Sequence, residues 1–250
     1  HFRNDGDLGF AVGNFANEMT SLYVTREAAP PFTDDAIVEG IGPASRLALT
    51  FGLFFFDYDL DGRLDLFQAN GHLEGDINLV QSSQHYRQPP QLFWNCANDC
   101  RTGFLVQPGD ANGDLATSLV GRGAAFADID GDGDPDIVVS QNGGPPILLR
   151  NDQALGHHWL RISLTGREAN RDAIGARVKV FTGDIVLERQ VMPSRSYLSQ
   201  VERVLTFGLG KADSIDRVEV TWPGGGRQSV TDVAIDSLLE LTQETAAGEG

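Results

Sequence analysis

The chain has 250 residues, 41% of them apolar, with two Cys, 29 Gly and a formal net charge of −16. That apolar share is enough for a core and excludes wholesale disorder. A balance this acidic excludes nucleic acid as the partner, because phosphates are met by Lys and Arg. No run of about 18 apolar residues occurs, which excludes a transmembrane helix from the sequence as it stands.

The acid is unevenly placed. Residues 1–153 hold 22 Asp and Glu against 8 Lys and Arg, whereas residues 154–250 hold 13 against 11. The first part therefore has a local use for carboxylates. That use is legible as the pattern D-x-D-x-D-G-x-x-D, intact twice, at Asp57–Asp65 and at Asp128–Asp136, 71 residues apart.

In chain order, His1 to Phe10 reads as a decayed copy of this loop, 56 residues before the first intact one. Leu22-Tyr23-Val24 and the Phe32 run would then be the strands that follow it. Gly52 to Phe56 and Gly123 to Ala127 lead into the intact loops. Leu92-Phe93-Trp94 and Ile147-Leu148-Leu149 follow them, and Gly103 to Val106 supplies a further Phe-led run. The spacing predicts a unit of about 56 residues with four short strands, lengthened in one copy by a polar insertion from Gly71 to Pro90. Four-stranded units at this period are the sequence signature of β-propeller blades. Residues 1–153 supply about two and a half blades, and a propeller needs about four to close. The expectation is a partial propeller on the C-terminal piece of a longer protein, with upstream blades of the same polypeptide completing it. Without them, an exposed blade face predicts self-association.

Carboxylates at alternate positions of a tight loop converge and repel unless a cation sits among them. All-oxygen donors without His or Cys select Ca²⁺ over transition metals. The first loop would offer the side chains of Asp57, Asp59, Asp61 and Asp65 and the carbonyl of Arg63, whose side chain would point outward. The second would offer Asp128, Asp130, Asp132 and Asp136 and the carbonyl of Asp134. Gln68 and Val139 stand where an EF-hand has its bidentate Glu, and the flanks alternate like strands, so neither loop is an EF-hand. Asp and Gly also mark plain turns, but two intact copies at matching places favour ligands. Asp110-Ala-Asn-Gly-Asp114 lacks the closing Asp and reads as a turn.

Cys96 and Cys100 are spaced for a local disulfide or stand as two free thiols; zinc is the lesser alternative, because the spacing matches no common zinc site and few His lie nearby. His72 and His85 bracket the insertion with Glu74, Asp76 and Tyr86, and no nucleophile–base–orienter set is legible there. His157-His158 reads as a linker before a strand, with metal binding the lesser alternative, and Arg195 with Tyr197 as a turn or a small polar site.

From residue 154 the pattern changes. Trp159–Leu164, Ala176–Phe181, Val201–Phe207 and Arg217–Trp222 alternate in polarity, with Gly-rich turns between them. Six to eight short strands predict a β-sandwich or barrel over residues 154–243. The small polar stretch from Glu244 to Gly250 reads as a disordered tail.

Several strings then resemble a known family. The Asp-loop units look like FG-GAP/VCBS repeats, with Asn14–Glu18, Ala69–His72 and Gly121–Phe126 as further matches. Asn170–Val178, Ser196–Gln200, Phe207–Gly210 and Val218–Gly224 look like the ASPIC/UnbV domain of cartilage-acidic-protein-like proteins. The resemblance runs over about residues 1–243. It implies a secreted or cell-surface protein, extracellular or periplasmic, with a calcium-binding propeller that recognises a protein or glycan and carries out no chemistry. The alternative is a hydrolase or lyase on a propeller scaffold, with its site in upstream blades or in the insertion.

Overall fold

The computed structural model describes residues 2–109 and 113–244. His1, the first three residues of the Asp110–Asp114 string, and all of the expected tail beyond Glu244 lie outside the described residues.

The chain is all-β, as expected. Its β-branched and aromatic runs are broken every few residues by Gly, Pro, Asn or Asp, and form short strands rather than helices. Ten strands lie in the acidic part: β1 (Gly9–Val12), β2 (Ser21–Arg26), β3 (Ala29–Asp34), β4 (Thr50–Phe56), β5 (Asp65–Asn70), β6 (Gln91–Asn95), β7 (Phe104–Val106), β8 (Gly121–Ala127), β9 (Asp136–Gln141) and β10 (Ile147–Leu149). They form three antiparallel meanders, β1-β2-β3, β4-β5-β6-β7 and β8-β9-β10. The only α-helices among the described residues are the short α1 (Ile41–Ser45) and α2 (Ile77–Val80), the latter inside the insertion.

The first strands of the three sheets lie side by side, β1 against β4 and β4 against β8. Strand β5 is buried throughout because the middle sheet is covered on both faces. Leu66 joins one core with Phe2, Leu22, Ile41, Phe93 and Phe104. Its neighbour Phe67 points the other way and joins Phe54, Phe56, Leu92, Ala124 and Val139. This is the period-2 alternation of a strand with apolar partners above and below.

The register corrects the reading of the first repeat. Val12 faces Ser21, Phe56 faces Asp65 and Ala127 faces Asp136. Each of these hairpins encloses eight residues, so the counterpart of the Asp57 loop is the β1–β2 connection and not His1–Phe10. Gly13, Phe15, Asn17 and Ser21 occupy its four Asp positions. The spacing to the first intact loop is 44 residues, not 56. Leu22–Val24 accordingly lies in a second strand, and Phe32 in a third strand where Phe104 is in a fourth. The Asp5-Gly6 match is coincidental: the Asp5 carboxylate accepts the Asp7 N–H in a local turn, and no strand precedes it among the described residues.

The remaining part has seven strands: β11 (His158–Thr165), β12 (Arg177–Thr182), β13 (Ile185–Gln190), β14 (Leu205–Gly210), β15 (Arg217–Thr221), β16 (Arg227–Val230) and β17 (Ser237–Thr242). They form two sheets, β14-β11-β17 and β13-β12-β15-β16. The β11–β17 pair is parallel, all others antiparallel. Leu160, Ile162, Phe207 and Leu209 from one sheet and Val178, Val180, Val218 and Val220 from the other meet in a single core. Of the expected Val201–Phe207 strand, only the end from Leu205 is extended, because Glu202 turns back to the Asp128 loop. None of the five sheets closes on itself among the described residues.

Candidate metal centre

The β4–β5 loop is built by its own carboxylates. The Asp57 Oδ2 accepts the N–H of Gly62 at 3.0 Å, which closes the sharp turn at a glycine with φ of 92°. Asp65 accepts the Tyr58 N–H at 3.0 Å and the Asn95 N–H at 2.7 Å, tying the loop to the end of β6. Asp59 accepts the Trp94 indole N–H at 2.9 Å. Asp57, Asp59 and Asp61 then each present a carboxylate oxygen, all within 4.8 Å of one another.

Asp65 is not part of that cluster, and both its oxygens are engaged by backbone N–H groups. Through those two bonds it pins the loop. The Arg63 side chain does not turn away from the loop as expected. It folds back so that its guanidinium sits 2.5 Å from Asp61 and its Nε donates to the Asn95 carbonyl.

Burial dominates the electrostatics. Asp57 is 3% exposed, and its Oδ1 has no hydrogen-bond partner. Desolvation, opposed by Arg189 and reinforced by Asp61 and Asp59, pushes its carboxyl up to about 8. Burial, with the charge of Asp61, also raises Asp59; burial, with the charges of Asp59 and Asp57, raises Asp65. A buried carboxylate oxygen with nothing to accept is costly. Such a group fits a cation, since carboxylates brought this close resist ionisation together unless positive charge offsets them.

The β8–β9 loop repeats the backbone scheme. The Gly133 N–H goes to Asp128 at 3.1 Å, and Asp136 takes the N–H groups of Ile129 and Asn151, each at 2.9 Å. Here the convergent set is Asp128, Asp130 and Asp136, and Asp132 lies outside it. Asp134, expected to offer only its carbonyl, buries its carboxyl instead. It is 4% exposed with an unpartnered Oδ1, and burial beside Asp132 pushes it up to about 8.

Both loops face the C-terminal domain. The Gly208 N–H donates to Asp57 at 3.1 Å and the Gly210 N–H to the Leu60 carbonyl at 2.9 Å. Arg189, wholly enclosed, donates to the Gly62 carbonyl at 2.9 Å. On the other loop Arg161 sits 2.9 Å from Asp128, and Glu202 accepts the Asp128 N–H at 3.2 Å. This domain carries the sharpest likeness to known proteins.

Residues 166–248 match the family described as ASPIC and UnbV. The four strings that carried the resemblance of this part all fall within that span. The chain is also similar to cartilage acidic protein 1, at 34% identity over 258 residues to the Mus musculus protein and 34% over 251 residues to the Homo sapiens protein. The Xenopus tropicalis protein is 33% identical over 247 residues. Each match covers 96% of this chain and 35% of the relative, so the chain spans about a third of the length of the curated relatives it matches.

The residues of the C-terminal domain that cover the loops had no local signal in the sequence. Arg161, Arg189, Glu202 and Gly208 lie 33 to 151 residues from the loop groups they meet. Asn95 and Asn151 had a weaker signal, since one ends and the other closely follows the third strand of its repeat. The other candidates take ordinary places. Cys96 and Cys100 are joined as a disulfide. His157 contacts the Asp59 carbonyl and His158 contacts Asp236. Arg195 donates to the Met192 and Gln190 carbonyls, while Tyr197 packs edge-on against Phe51. His72 is buried and accepts the Glu74 N–H, whereas His85 lines a separate surface cleft of about 730 Å³ with Ser83, Tyr86 and Arg87. Among the described residues, no helix is long and apolar enough to cross a membrane.

Proposed function

We propose that this chain is a non-catalytic recognition or adhesion module of an extracellular protein, in which calcium fixes the Asp loop of a propeller-type blade. The observation that carries this reading is the buried, unpartnered Oδ1 of Asp57, on a carboxylate that with Asp59 and Asp61 offers oxygens within 4.8 Å of one another. Calcium is a hard cation that takes 6–8 oxygens and tolerates irregular geometry. Asp57, Asp59 and Asp61 would hold it through their side chains and Arg63 through its carbonyl, with Asp65 keeping the loop in shape. Bound calcium would offset the charge of the crowded carboxylates and stiffen the loop on which the ASPIC/UnbV domain rests.

Three further observations support the setting. The first strands of the three meanders lie side by side, as blades do around a shared axis. A disulfide persists in oxidising compartments. The similarity to proteins named for cartilage fits a secreted or cell-surface location. The partner would be a protein or glycan.

A glycan and extracellular-protein array, probed with the full-length protein in calcium and in chelator, tests this function. A reproducible hit that depends on calcium is expected. Turnover of a substrate without such a hit would instead favour a hydrolase or lyase.

A further inference from the structure

We propose that Arg161 is the resident cation of the second Asp loop, so that this loop takes a guanidinium from the C-terminal domain where the first takes a divalent ion. The two loops share length, register and backbone hydrogen bonds, yet differ at the first carboxylate. Asp57 Oδ2 takes the N–H groups of Gly62 and Gly208, and its Oδ1 is left with no partner. The guanidinium paired most closely with Asp57, that of Arg189, stays 3.9 Å away and is spent on the Gly62 carbonyl and on Asn4, while Arg63 meets Asp61.

Asp128 has no such opening, and the unpartnered oxygen of this loop belongs to Asp134, outside the convergent set. The Asp128 Oδ1 takes the Gly131 N–H at 2.7 Å. Its Oδ2 takes the Gly133 N–H at 3.1 Å and meets the Arg161 guanidinium at 2.9 Å, a charge-assisted distance. Arg161 is only 13% exposed and is placed by its backbone. It sits in the middle of β11, opposite Thr206 of β14 and Leu238 of β17. Its other terminal nitrogen is held by Glu202, whose second oxygen accepts the Asp128 N–H, so the three side chains form a closed set. Trp159, two residues earlier and on the same face of β11, lies over Gly133 of the loop. A guanidinium keeps its charge at any working pH. A divalent ion entering this loop would have to displace Arg161, whose Nε already lacks an acceptor, and cost its buried guanidinium a further one.

The assignment rests on the calcium reading of the first loop only for its contrast, and the test separates the two. Chelator-stripped wild type and Arg161→Gln are titrated calorimetrically with calcium. Arg161→Gln is expected to bind one more ion per chain than wild type, and the added ion is lost again when Asp130→Asn is combined with it. Equal ion numbers in the two proteins overturn the assignment. A wild type that binds no ion sinks the calcium reading of the first loop, whereas the difference between the two proteins still decides Arg161. If Arg161→Gln does not fold, wild-type crystals grown with terbium chloride decide by anomalous scattering. Arg161 seated on Asp128 with no peak among Asp128, Asp130 and Asp136 supports the assignment; a peak there overturns it.

Discussion

At the scale of single residues, Asp57 has two jobs. Its Oδ2 caps a turn and an interdomain contact, and its Oδ1 is left over. Asparagine can serve the first job and not the second. Asp57→Asn is therefore expected to melt at or above the wild-type temperature in chelator, and to lose the upward shift in calcium; an undiminished shift would remove Asp57 from the ligand set. The same carboxyl sets a pH dependence. Burial raises it to about 8 in the folded chain, against an ordinary carboxylate value when unfolded. The folded state then holds a proton that the unfolded state has released, so stability is greatest below the unfolded value and falls as pH rises towards 8. Asp134 acts in the same direction. Denaturation of the chelated protein from pH 5 to 8 should show this decline, and calcium should flatten it. The carboxylate pattern was legible in the sequence because position and residue type repeat. The separate task of Asp65 was not, because its partners Tyr58 and Asn95 are backbone groups that any residue supplies.

At the scale of elements, hairpin register organises the acidic part. The β1–β2 loop keeps the length of the Asp loops but none of their carboxylates, so sequence identity misleads where strand pairing does not. Aligning on Asp and Gly drew the eye to Asp5-Gly6, while the true counterpart begins at Gly13. Strands β11, β12 and β15 were readable because their alternation is regular. The residues before β14 were not, because Glu202 belongs to the loop contact rather than to a ladder. Gly208 shows how tightly the elements meet. A Cβ there would lie 2.3 Å from the Leu60 carbonyl carbon, 2.4 Å from its Cα and 2.5 Å from Asp57 Oδ2. Gly208→Ala should destabilise the chain by about 1–3 kcal/mol, as overpacking does, and weaken calcium binding as well. Chemical denaturation and calorimetry would check the pair; unchanged stability would mean that the domains are not seated as described.

For the molecule as a whole, the Asp loops are also a floor for the ASPIC/UnbV domain, and charge, turn geometry and domain contact are settled by the same residues. The β1–β2–β3 sheet has a different character. Phe10 stacks on Tyr23 and meets Phe32 edge-on, and both phenylalanines are exposed along with Leu8, Val12, Ile37 and Val38. An apolar face of this kind predicts concentration-dependent self-association. Sedimentation should show it and Phe10→Ser with Phe32→Ser should reduce it; a clean monomer at high concentration would contradict the prediction. The central claim concerns the first Asp loop, and thermal unfolding of the wild-type chain in excess calcium and in excess chelator tests it most directly. One site at ten times its dissociation constant adds about 1.4 kcal/mol, which for a chain of this size raises the melting temperature by about 3–6 °C. A reversible rise of that order in calcium is the predicted result, and superimposable melts in calcium and chelator would contradict the account.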